Sequence, residues 1–176
     1  AAGIVIAHSL QRANELFPGQ ILAGPFQALD EYLGGDKPFH TVINGENYHV
    51  LKALTYTHRG KIDVIYIDPP YNTAASEIIY QNNYKDAAWL TLIENRLALA
   101  KPMLAQEGFL CVTIDDFELS RLRELLGLTF GEDAILGTVA IKNNPAGRST
   151  AKGFSIAHEY AVFVTKSPEA SIGRLE

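Results

Sequence analysis

Two apolar runs, "KIDVIYID" at residues 61–68 and "FLCVTI" at 109–114, constrain this chain more than anything else in it. Each is nearly continuous instead of alternating, the mark of a strand covered on both faces of a sheet. Between them, "DAAWLTLIENRLALAKPMLAQEG" sets Leu90, Ile93, Leu97, Ala100 and Leu104 at helical spacing. Strand, helix and strand in that order call for a parallel pair joined by a right-handed crossover. The chain is therefore expected to be α/β, with a mainly parallel sheet.

The flanks extend the pattern. "HTVIN" is a short β-branched run, and "YHVLKALTYT" carries a helical stripe at Val50, Leu51 and Leu54. Asp86 is the expected N-cap of the long helix and Gly108 its stop, with Pro102 implying a kink or an early end. In "DDFELSRLRELLG", Asp115 and Glu118 fit a capping box and Gly127 closes the helix. "ILGTVAIK" and "HEYAVFVTK" are expected to pair as an antiparallel edge hairpin across the loop 143–157. Residues 1–38 read as a short amphipathic helix and a Gly/Pro-punctuated linker, 39–167 as the main domain and 168–176 as a tail.

Composition narrows the function classes. Of 176 residues, 47% are apolar and 20% charged, and no run approaches the roughly 20 apolar residues of a membrane span. No membrane partner is expected. The one cysteine, Cys111, rules out a disulfide within the chain and fits a reducing cytoplasm, the expected location. His8, His40, His49, His58 and His158 lie too far apart for a zinc site. A net charge of −5 is unlike a chain that grips nucleic acid on its own. The most basic stretch, "IKNNPAGRSTAKGF", holds Lys142, Arg148 and Lys152; it is either a phosphate-facing loop or a solvated surface one.

Ligands of open α/β sheets sit beyond the carboxyl ends of the strands. Three expected strands end in acidic or amide groups there: 44–47, Asp68, and Asp115 with Asp116. The second leaves through "DPPY". Pro69 and Pro70 fix φ and remove backbone donors, so the turn is stiff. The Asp68 carboxylate and the Pro69 carbonyl make two acceptors for the hydrogens of an –NH2 group, and Tyr71 adds a flat face for a planar ring. An exocyclic amine on a flipped-out nucleobase suits such a site. Preorganised acceptors favour the pyramidal amine that develops during attack, and holding it in line with an electrophile adds proximity.

These residues resemble amino-group DNA methyltransferases, whose catalytic motif is DPPY after a strand. "VINGENYHVLKAL", "KIDVIYIDPPYNT", the stretch 89–126 and "NPAGRSTAKGFSIAHEYAVFVTK" follow in the order of the adenine-N6 modification subunits of type III restriction–modification systems. The resemblance covers roughly residues 40–166. It implies a partial Rossmann-like methyltransferase sheet, S-adenosyl-L-methionine as cofactor, and double-stranded DNA as substrate, with a restriction subunit and a second copy as possible partners. Asp68, Pro69, Pro70 and Tyr71 would be catalytic. Asn72, Thr73 and Arg148 would border the substrate, and Glu46 and Asp68 the cofactor. Glu46 read by itself is equally a helix N-terminal charge, Trp89 a packing residue, and His158, Glu159 and Tyr160 the structural start of a strand.

The family's glycine-rich cofactor loop, of the form F-x-G-x-G, has no match in the sequence. The expectation is a fragment of a methyltransferase, inactive alone, whose apolar sheet edge favours association. Cytosine-N4, RNA or protein-amide methylation remain open, as does a non-catalytic interaction module.

Overall fold

The computed structural model describes residues 4–5, 41–71, 85–142 and 156–170. β1 (Ile4–Val5) pairs in parallel with β2 (Thr41–Val42). The amphipathic helix expected near the N-terminus thus gives way to a strand at Ile4–Val5, whose β-branched residues suit one; the rest of that helix and its linker lie outside the described residues. Helix α1 (Asn47–Thr57) follows, then β3 (Ile62–Ile67), α2 (Lys85–Met103), β4 (Leu104–Ile114), α3 (Leu119–Phe130), a 3-10 turn at Glu132–Ala134, β5 (Ile135–Lys142) and β6 (His158–Thr165).

The last four strands form one sheet in the order β3-β4-β6-β5. β3 and β4 are parallel, and β6 runs antiparallel to both β4 and β5. The edge hairpin is therefore present, with β6 inside the sheet and β5 outermost, pointing the same way as β3 and β4. The hairpin's connection, like the tail from residue 171, lies outside the described residues.

Trp89, Ile93, Leu97 and Ala100 form the buried stripe of α2, four and three residues apart. They meet Leu110, Val112 and Ile114 of β4, Val162 and Val164 of β6, and Leu122, Leu125, Leu126 and Phe130 of α3. Each large side chain so buried contributes roughly 1.5–3 kcal/mol. A second cluster joins Leu51 and Leu54 of α1 to Ile62 and Met103. All three helices thus pack on the same side of the sheet.

Four local expectations are corrected. β3 is not covered on both faces: Val64 and Tyr66 are exposed, because β3 is the outer strand and no described helix packs on that side. Gly108 does not stop α2, which ends at Met103 just after Pro102. Gly108 instead lies within β4, beside the register shift that follows Ile62, where an added Cβ would sit 2.8 Å from the Ile62 carbonyl oxygen. The capping box is not formed, since Asp115 Oδ1 accepts from the Phe117 N–H at 3.1 Å, two residues on. The N-cap is Glu118. Finally, α3 runs through Gly127 to Phe130 and stops at Gly131, whose φ of 102° favours glycine.

Candidate active site

Parallel pairing of β3 with β4 puts Ile67 opposite Val112, so both strands end at one rim. β6 begins at that rim, with Tyr160 opposite Ile114. Asp68–Tyr71, Thr113, Asp115, Asp116 and His158–Tyr160 are therefore gathered from three strands separated by up to 92 residues in sequence. Two of the three acidic groups expected there, Asp68 and the Asp115–Asp116 pair, share this rim.

The turn itself is braced from both sides. Asp68 is exposed and Pro69 buried, with Pro70 and Tyr71 half-buried. Asp68 Oδ1 accepts from Thr113 Oγ1 at 2.8 Å. The Thr113 hydroxyl has one proton, and that short contact uses it, so Tyr66 is left to donate to Thr113 Oγ1 at 3.3 Å. A relay from Tyr66 through Thr113 to Asp68 thus fixes the carboxylate. On the other side, the Trp89 indole N–H donates to the Pro70 carbonyl at 2.7 Å. Trp89 is fully buried, so the turn is tied to the rigid core of α2. The Pro70 carbonyl is thus paired, whereas the Pro69 carbonyl has no donor among the described residues.

Tyr71 leans across the end of β4. Its hydroxyl donates to Glu159 Oε2 on β6 at 3.1 Å. The phenol is pushed far up by burial, and further by the carboxylates of Asp68 and Glu159. Beside it, His158 Nε2 lies 2.9 Å from the Tyr160 hydroxyl and 3.8 Å from Asp116 Oδ1. A hydrogen bond to Asp116 raises the Tyr160 phenol.

Glu46 is placed apart from this group. It caps α1, accepting from the His49 N–H at 3.1 Å, and its other oxygen meets Arg96 Nη2 at 3.4 Å. Arg96 is seven residues beyond Trp89 in α2, roughly 10 Å along the helix. The carboxylate is exposed and serves the cap and Arg96. Asn72, Thr73 and Arg148 lie outside the described residues.

Thr113, Glu159 and the bracing role of Trp89 were missed in the sequence. Thr113 left one trace, a lone hydroxyl in an apolar strand. For Glu159 the sequence holds no local signal, because its partner is 88 residues away.

The DNA methylase family model of N6 and N4 methyltransferases matches residues 62–173. The type II methyltransferase M.KpnI of Klebsiella pneumoniae is 32% identical over 146 residues, 78% of this chain and 35% of that protein. The EcoP15I Mod subunit of a type III restriction–modification enzyme of Escherichia coli is 29% identical over 163 residues, 76% of this chain and 25% of its own length. The chain thus spans about a quarter to 35% of the length of these relatives. Among solved structures, the M1.HpyAVI–SAM complex shares the fold with a TM-score of 0.51 at 19% identity, over 73% of this chain and 55% of that one.

Proposed function

Because the chain belongs to the DNA methylase family of N6 and N4 methyltransferases, we propose that it carries the amine-holding half of an adenine-N6 DNA methyltransferase of a restriction–modification system. One observation carries the reading: an exposed Asp68 carboxylate, fixed by Thr113, stands beside a Pro69 carbonyl that has no donor among the described residues, on a turn braced by Trp89. Those two acceptors take the two N–H bonds of the adenine amine. Drawing on both hydrogens pyramidalises the nitrogen and frees its lone pair. Rigidity matters because the acceptors need no rearrangement as charge develops. The Tyr71 ring gives the flipped base a surface to lie on, worth roughly 1–3 kcal/mol by analogy with other base–aromatic stacks. S-adenosylmethionine, when bound by the whole enzyme, supplies the methyl group.

The same acceptors would hold the amine of cytosine. The order of motifs, like that of the adenine-N6 modification subunits of type III systems, favours adenine. The enzyme containing this chain, given labelled S-adenosylmethionine and duplex DNA, should yield N6-methyladenine on nucleoside analysis. N4-methylcytosine as the labelled product would reassign the base while keeping the clamp.

A further inference from the structure

Glu159 is the second residue of β6, two strands away from the turn that carries Tyr71, about 9.5 Å at ordinary strand spacing. Tyr71 bridges that distance over the end of β4, and its hydroxyl ends 3.1 Å from Glu159 Oε2. The ring is half-buried, packed against the main core, so one side is fixed by packing and the far end by the carboxylate. A phenyl ring held only by its Cα–Cβ bond swings through its rotamers; one tethered at the para position does not. Resting on the reading of Tyr71 as the surface for the base, we infer that Glu159 is a positioning residue, which holds the Tyr71 ring in one rotamer through its hydroxyl and so sets where the ring meets the target base.

The inference explains why a tyrosine suits this place: phenylalanine would offer the same face without the tether. It also predicts that the effect of Glu159 on transfer runs through the Tyr71 hydroxyl. In the enzyme containing this chain, Glu159→Ala should lower the maximal rate of methyl transfer about tenfold or more, as for loss of a hydrogen bond to a charged group. Its effect on KM for the cofactor should be small. Glu159→Gln keeps an acceptor oxygen and should restore most of the rate. Tyr71→Phe should match Glu159→Ala, and the double variant should be no slower than either alone. Losses that multiply in the double variant, or a Glu159→Ala enzyme at full rate, would overturn the inference.

A second measurement does not depend on catalysis. In the chain itself, labelled at tyrosine Cζ, the Tyr71 signal is identified by its disappearance in Tyr71→Phe. It should shift in Glu159→Ala and move back toward the parent position in Glu159→Gln. An indifferent Tyr71 signal would remove the tether even if Asp68 proved essential. A shifted signal with no effect of Asp68 substitution on transfer would keep the tether and refute the clamp.

Discussion

At the scale of single residues, the candidate site is held by few bonds with little redundancy. Trp89 is the clearest case, since its indole fills the core and its N–H closes on the Pro70 carbonyl. Trp89→Phe keeps most of the apolar volume and deletes the donor. It should cost about 1–3 kcal/mol, the desolvation penalty of a part-buried carbonyl left unpaired. Urea unfolding followed by circular dichroism is the suitable check, because the variant has no tryptophan left to report. A loss under about 0.5 kcal/mol would show that the bond to Pro70 is not needed to hold the turn. Cys111 is of a different kind: it is buried on β4, and burial alone pushes its thiol up, as for an inert core cysteine.

At the scale of elements, stripes and runs were legible in the sequence and endings were not. The α2 stripe at Ile93, Leu97 and Ala100 follows from 3.6-residue periodicity, as does α1 from Leu51 and Leu54. The stop of α3 did not follow, because Gly127 and Gly131 look alike in one dimension. Only Gly131 has positive φ, whereas Gly127 lies in the helix with Glu132 packed over it. Gly131→Ala should therefore destabilise by about 1 kcal/mol or more. Gly127→Ala asks only a flexible carboxylate to move, and should differ from the parent by less. Equal losses in thermal melts of the two variants would contradict this assignment.

The α1 cap gives a pH prediction at the same scale. The backbone N–H groups of Tyr48 and then His49 hold the Glu46 carboxyl below its ordinary value of 4.5, with Arg96 adding to the effect. A depressed folded value means that the stabilisation is present above 4.5 and is lost as pH falls through the lower folded value. The gap in urea midpoint between the parent chain and Glu46→Gln should be small, since the group is exposed. It should close as pH falls from 6 to 3. A gap that widened toward acid would have the wrong sign.

At the scale of the molecule, the sheet topology brings together what the sequence keeps apart. Strand polarity alone predicted that Asp68 and Asp115 share a rim. The pairing of β4 with β6, which adds Glu159 and His158 to it, depends on long-range register that no local pattern encodes. That rim is rich in carboxylates, which suits an amine and repels phosphate. Lys142, opposite His158 at the end of β5, is the nearest described cation on the adjoining strand. On the sheet face that no described helix covers, Val64, Tyr66 and Val139 are exposed. Among the described residues, no helix is long and apolar enough to cross a membrane.

The account turns on Asp68 as the acceptor that holds the reacting amine. Asp68→Asn preserves the shape of the turn and still accepts from Thr113, but lacks the negative charge. In the enzyme containing this chain, the single-turnover rate of methyl transfer from labelled S-adenosylmethionine to DNA should fall about 100-fold or more, as when a preorganised electrostatic group is lost. DNA affinity should stay near that of the parent. Transfer by Asp68→Asn at the parent rate would contradict the claim that this carboxylate holds the amine.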